Sequence, residues 1–250
     1  MKKQIPNLIT LCNLLCGIGA CIYAVQGDLE SAAIYICAGI FFDFFDGLAA
    51  RALGVASPIG KELDSLADVV TSGVAPGLIL YSFFVLYCGY PLLGAIALLI
   101  PLFSAYRLAK FNLDTRQTHS FLGLPTPANA LVWGGLAIWF KWPQLALIDL
   151  GLDSHFMYQT FVFTGTHAIP LWLCIALAIL SLLLDILLVS ELPLFALKIK
   201  NLSWKENKLR YIFILSSLAL ILLLGGLGIS LTILWYILLS ILTHQKPEQA

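Results

Sequence analysis

Residues 209 to 243 form one nearly unbroken apolar run, too long for a single membrane crossing. About 35 residues in one helix would reach roughly 52 Å, against a hydrocarbon core of about 30 Å. Gly225, Gly226 and Gly228 interrupt the run near its middle, which predicts a tight helical hairpin. Apolar stretches of membrane-crossing length recur along the whole chain. Windows of about 19 residues place spans near 8 to 26, 31 to 52, 61 to 86, 91 to 111, 126 to 142, 168 to 190, 209 to 225 and 229 to 243. The expected fold class is all-α, a polytopic transmembrane helix bundle of about eight spans: a six-helix core plus the C-terminal hairpin. The expected organisation is a core over 1–190, a basic interfacial segment over 191–208, and the hairpin and tail over 209–250.

Composition agrees, since 11% of the residues are charged where a soluble domain carries roughly 25%. The net charge is zero, so no nucleic-acid partner is expected and only the distribution of charge is informative. With the N-terminus in the cytosol, Lys2, Lys3, Arg51, Lys61, Arg107, Lys110, Arg116, Lys198, Lys200, Lys205, Lys208, Arg210 and Lys246 all fall on that side, and Lys141 alone lies outside. This positive-inside bias predicts an integral protein of the cell or inner membrane with both termini cytosolic. Between 191 and 210, five of these cations alternate with Leu, Phe, Ile and Trp. That pattern suits either a segment lying on an anionic leaflet or a solvated loop.

Lys2 and Lys3 before an apolar run, with "IGAC" at 18 to 21, resemble a cleaved signal. Pro6, Asn7, Thr10 and Asn13 interrupt that run where a signal core is uniformly apolar, so a retained span is expected. The six cysteines (Cys12, Cys16, Cys21, Cys37, Cys88, Cys174) include no CxxC pair and have no neighbouring histidine. They read as small buried residues, not as metal or redox groups.

Against this background the stretch "DFFDGLAARALGVASPIGKELDSLAD", residues 43 to 68, carries four aspartates. Asp43 and Asp46 are three residues apart near the end of the second span, and Asp64 and Asp68 four apart at the start of the third. Each pair shares a helix face. The linker from Ala52 to Ile59 is short, so two antiparallel helices bring both pairs to the same depth. Converging carboxylates repel and lose hydration, at about 2.5 to 3.5 kcal/mol for one Asp at the centre of a membrane helix. A bound divalent cation removes the conflict, and all-oxygen ligands suit Mg²⁺ or Mn²⁺. Gly47 clears room for a ligand against the helix backbone, and Gly60 does so before the third helix. Arg51 can make bidentate contacts to phosphate oxygens. Lys61 shares the face of Asp64 and Asp68, whereas Glu62 points away and is left out of the metal site.

Asp43, Asp46, Gly47, Ala50, Arg51, Gly60, Asp64 and Asp68 together resemble the DGxxAR(x8)GxxxDxxxD pattern, with its leading Asp, of the CDP-alcohol phosphotransferases. The resemblance implies that an alcohol attacks the β-phosphorus of a CDP-linked lipid at the membrane surface and CMP leaves. It implies that Asp43, Asp46 and Asp64 hold one or two divalent metals, with Asp68 either a further ligand or the catalytic base. Gly47, Ala50 and Arg51 would line the nucleotide side, with Ser57 of the connecting loop beside them. The resemblance also allows a homodimer.

"IPNLITLCNLLCG" (5 to 17), "GKELDSLADVVTSGVAPG" (60 to 77), "YRLAKFN" (106 to 112) and "FLGLPTPANA" (121 to 130) are similar to the phosphatidylserine synthase branch of that family. That branch joins CDP-diacylglycerol to L-serine. Past residue 130 the similarity rests on hydropathy and on "LPLFALK" at 192 to 198. Serine needs cations or amide donors for its carboxylate and acceptors for its ammonium. Arg107, Lys110 and Asn112 at the end of the fourth span, Lys61, and Thr10 and Asn13 of the first span are the candidates. For Arg107 and Lys110 the alternative is positive-inside anchoring, and for Asn7 and Thr10 it is helix capping. A family member using glycerol 3-phosphate or an inositol phosphate is the other reading of the acceptor, though it would call for more cations.

"GLPTP" at 123 to 127 is expected to start the fifth helix. His119, His155, His167 and His244 fall in loops or the tail, and the outer loop from 143 to 167 is aromatic and poor in charge. A transporter would also bury aspartates, but near the midplane and with paired broken helices, and neither pattern is present. A structural scaffold has no use for four converging acids.

Overall fold

The computed structural model describes residues 4–55, 57–113, 121–149, 169–195 and 204–243. Among them, α1 (Gln4–Gln26), α2 (Leu29–Leu53), α3 (Pro58–Tyr87), α4 (Pro91–Leu113), α5 (Thr126–Asp149), α6 (Leu171–Val189), α7 (Trp204–Leu224) and α8 (Gly226–Thr243) each lie over one predicted span. Seven stretches, in α1 to α4 and α6 to α8, are long and apolar enough to cross a membrane. The protein is an all-α polytopic bundle and an integral membrane protein. The four histidines, residues 150–167 of the expected outer loop, and 196–203 of the expected basic segment lie outside the described residues.

One boundary differs from expectation. Helix α5 continues past 142 through Pro143 to Asp149, so the first part of the expected outer loop is helical. Leu145, Ala146 and Leu147 are good helix formers, and a proline is tolerated in helices of this kind.

Inside a bilayer, helices associate through small residues and polar contacts, because lipid tails are as apolar as leucine. The buried stripe of α1 is Pro6, Thr10, Asn13, Gly17, Ala20 and Ala24, and it packs on α2, where Ala32, Ala33, Ile36 and Gly39 are buried. A Cβ on Gly17 would overlap Thr71 Oγ1 of α3, and one on Gly39 would meet Thr71 and lie 2.9 Å from Asn13 Oδ1. Glycine at these two positions therefore lets three backbones meet. The opposite face of α1 exposes Leu8, Leu11, Leu15, Ile18 and Ile22. Cys12 is exposed there as well, and Cys16, Cys21 and Cys37 are half-buried, so only Cys88 and Cys174 meet the expectation of burial. The helix surface that faces lipid has no reason to exclude a small apolar thiol.

Helix α2 stops at Gly54, whose left-handed φ of 63° only glycine adopts readily, and its N–H returns to the Arg51 carbonyl at 3.2 Å. Ser57 caps α3 by accepting the Gly60 N–H at 3.1 Å, with Pro58 at the first helical position. The resulting hairpin is tight and antiparallel. Helix α3 widens into a π-helical turn at Val69–Val74, directly after Asp68 and just before Pro76. Helix α4 breaks at Leu98 because Pro101 has no N–H to offer the Ala97 carbonyl.

Two strands of two residues, β1 (Phe121–Leu122) and β2 (Pro193–Leu194), pair antiparallel. Two segments of the family resemblance, "FLGLPTPANA" and "LPLFALK", are thus hydrogen-bonded partners. Helix α5 starts at Thr126 with Pro127 in its first turn, as "GLPTP" predicts. The expected C-terminal hairpin is present, turning at Gly225 (φ 55°). Ser230 Oγ of α8 donates to the Val132 carbonyl of α5 at 2.7 Å, and Tyr236 OH donates to the Phe195 carbonyl at 2.8 Å. The hairpin therefore holds both α5 and the segment that carries β2.

Candidate active site

The α2–α3 hairpin brings aspartates from two helices together at one end of the bundle. Asp43, Asp64 and Asp68 each offer a carboxylate oxygen within 4.8 Å of the others. Asp64 Oδ1 is buried without a hydrogen-bond partner among the described residues. Three acids this close, in surroundings this apolar, repel strongly unless a cation lies among them. An unpartnered, buried carboxylate oxygen within such a set fits a hard divalent cation, so these residues could hold a metal.

Asp46 does not join that group of three. Its Oδ2 accepts from Thr10 Oγ1 at 2.5 Å, and it lies beside the cluster on the same face of α2. Asp68, 8% exposed, accepts from Asn13 Nδ2 at 3.2 Å, and Thr71 Oγ1 donates to the Asn13 carbonyl at 3.1 Å. Helix α1 is thus clamped to both acidic helices by Thr10 and Asn13. Thr10→Val keeps the shape and removes the bond to Asp46, leaving a buried carboxylate oxygen bare. We expect turnover to fall about tenfold, since a hydrogen bond to a charged group contributes about 1.5 to 3 kcal/mol, with little change in expression. Initial rates on purified protein check this, and a rate equal to wild type would remove Thr10 from the site.

A pocket opens beside the cluster, lined by Thr10, Asp46, Ala50, Ser57, Gly60, Lys61 and Asp64 among others. Asp64 belongs to both pocket and cluster. A Cβ on Gly60 would crowd Asn7 Oδ1 and Ser57 Oγ at 3.2 Å. Gly47 faces open space, where the nearest atom to an added Cβ is Arg51 Nη2 at 3.9 Å, and Arg51 is exposed in the last turn of α2.

The remaining expected residues are distributed differently. Arg107 is buried at 8% exposure, interacts with Asp68 through space, and lies 5.8 Å from the Phe111 ring centre. Lys61 Nζ donates to the Asn112 carbonyl at 3.0 Å and Asn112 Nδ2 to Ser65 Oγ at 2.9 Å, tying α3 to α4. Lys110 pairs with Glu191 at 3.7 Å, away from the pocket lining. Glu62 is exposed and outside the acidic group. Sequence reading missed Gly17, Gly39 and Thr71 as the parts that set the clamp. The 4-3 spacing of Thr10, Asn13, Gly17, Ala20 and Ala24 was the available signal.

A membrane bundle whose adjacent helices pool acidic oxygens beside a polar pocket defines a membrane-embedded enzyme site. The chain belongs to the CDP-alcohol phosphatidyltransferase family, whose sequence model matches residues 3–166. It is similar to the CDP-diacylglycerol--serine O-phosphatidyltransferase of Bacillus subtilis (strain 168), 43% identical over 152 residues, which are 60% of this chain and 85% of that one. The enzyme of the same name from Helicobacter pylori (strain J99 / ATCC 700824) is 39% identical over 132 residues, 51% of this chain and 54% of its own length. The archaetidylserine synthase of Methanothermobacter thermautotrophicus is 34% identical over 129 residues, again 51% and 54%. The chain spans about half the length of these last two relatives.

Proposed function

We propose that the protein transfers the phosphatidyl group of CDP-diacylglycerol to the hydroxyl of L-serine, giving phosphatidylserine and CMP, at the cytosolic face of the membrane. The observation that carries this is the convergence of Asp43, Asp64 and Asp68 within 4.8 Å beside a pocket that shares Asp64. The serine acceptor is supported by the names of the relatives and by the paucity of cations near the site among the described residues. An acceptor bearing its own phosphate would call for more than Arg107 and Lys61.

In this reading Asp43, Asp64 and Asp68 hold Mg²⁺ or Mn²⁺, with Asp46 alongside. The ion supplies neutralisation of the diphosphate and of the charge that develops on departing CMP. Ala50, Ser57 and Gly60 give the nucleotide a surface with few side chains, and Arg51 reaches its phosphates from the rim. Asp68 is oriented by Asn13 and either takes the proton of the serine hydroxyl or adds an oxygen ligand. The oxygen of serine bonds to the β-phosphorus, the bond to CMP breaks, and CMP leaves toward water. The depth of the cluster suits a substrate whose tails lie in lipid and whose nucleotide is solvated. The positive-inside charge pattern supports a cytosolic site and cytosolic termini.

The test is CMP release by purified protein with CDP-diacylglycerol, Mg²⁺ or Mn²⁺, and serine, glycerol 3-phosphate or an inositol phosphate in turn. We expect release with serine alone, and its loss on chelation with EDTA and return on adding the metal back. Release with only another alcohol overturns the acceptor, and release undiminished by EDTA overturns the role given to the acidic cluster.

A further inference from the structure

The sequence candidates include cations for the carboxylate of serine but, beside the neutral Thr10 and Asn13, no carboxylate set aside for its ammonium. The structure contains one in α6. Asp185 is the only acidic or basic residue of that helix, it is 1% exposed, and neither carboxylate oxygen has a hydrogen-bond partner among the described residues. Ser181, one turn away on the same face, is also fully buried with its Oγ unpartnered. A bare carboxylate within a membrane helix is costly and marks a functional position when no structural partner accounts for it.

Its depth relative to the acidic cluster follows from the helix ends. Helices α4 and α6 pack together, and Lys110 near the end of α4 meets Glu191 just past the end of α6 at 3.7 Å. Both therefore run in the same direction toward that end. Arg107 is one turn back along α4, and Asp185 is six residues before Glu191. At about 1.5 Å per residue this sets Asp185 roughly one turn deeper than Arg107. Arg107 interacts with Asp68 through space, and its own Nε has no partner among the described residues. Arg107 and Asp185 thus stand on packed helices, offset in depth by about one turn and not bonded to each other.

We infer that Asp185 accepts the ammonium of the amino-acid substrate while Arg107 takes its carboxylate, which turns the hydroxyl toward Asp68. This rests on the serine reading above and adds a specificity-determining residue beyond the 3–166 segment matched to the family. It also gives the physical reason for rejecting acceptors with no amine.

The test compares L-serine with 3-hydroxypropionate, which is serine lacking its amino group, as acceptors in CMP release. Wild type should favour serine by at least about tenfold in kcat/KM, and Asp185→Asn should lower that ratio by at least about tenfold, through KM for serine. The ratio is internal to each preparation, so a loss of folded protein does not imitate it. A ratio unchanged in Asp185→Asn overturns the inference. If that variant yields no active protein, equal use of the two acceptors by wild type overturns it instead. Release by wild type with glycerol 3-phosphate and not serine is a different result, since it overturns the acceptor reading itself.

Discussion

Asp64→Asn should reduce serine-dependent CMP release on the order of 10³-fold or more, comparable to removing a principal charge-stabilising group from an active site. Asp64 is the one acid shared by the cluster and the pocket, and its Oδ1 is the buried oxygen with no partner. Asparagine has the same shape, so packing along α3 is preserved. The charge that draws a divalent ion is lost, and an amide is a far weaker ligand for a hard cation. The same substitution relieves repulsion with Asp43, so the melting temperature in detergent without metal should hold or rise. Asp68→Asn should lose as much activity, because Asp68 is the most buried member of the cluster and the one Asn13 orients. Rates of labelled CMP release, read beside thermal melts, separate chemistry from folding. Activity within tenfold of wild type for Asp64→Asn would remove the carboxylate cluster from the reaction.

Gly39→Leu should both destabilise the bundle and inactivate it, although position 39 belongs to none of the expected catalytic groups. A Cβ there already overlaps Thr71 and lies 2.9 Å from Asn13 Oδ1. The remaining leucine atoms can only be accommodated if α1, α2 and α3 separate. Overpacking in a core costs about 1 to 3 kcal/mol, and here the displaced groups are the ones that hold Asp68. The expected result is a lower melting temperature, with residual activity on the order of 1% or less, since misplacement by about 1 Å can cost 10²-fold. Gly47→Ala is the matched comparison for folding, because its Cβ enters open space. Its melting temperature should equal or exceed that of wild type, since alanine is the better helix former. Gly39→Leu melting like wild type would show that the three backbones are not in the contact described.

Much of the fold was legible because the bilayer leaves few options. A chain that recurrently offers about 20 apolar residues must satisfy its backbone internally, and helices do that. Each predicted span corresponds to one helix, and the break at Gly225 was readable because few other residues adopt its backbone conformation. The acidic pairs were readable for a similar reason, since 3- and 4-residue spacing fixes a helix face.

Lateral arrangement was not legible. Lipid-facing and helix-facing sides are both apolar, so the pattern that orients a soluble helix carries little information here. Cys12 looked like a core residue and faces outward. Lys110 and Arg107 looked equivalent, yet one pairs with Glu191 and the other is buried beside Asp68. Asp46 and Asp43 share a face, yet Thr10 engages the first while the second joins the cluster. Local spacing along a helix determined that the protein is a membrane bundle with acids grouped on two adjacent helices. Only the packing of α1 and α4 around that hairpin, and of α6 on α4, decided which acids converge, what orients them, and that Asp185 is buried with no partner among the described residues, because such contacts join residues far apart in the chain through surfaces of nearly uniform hydropathy.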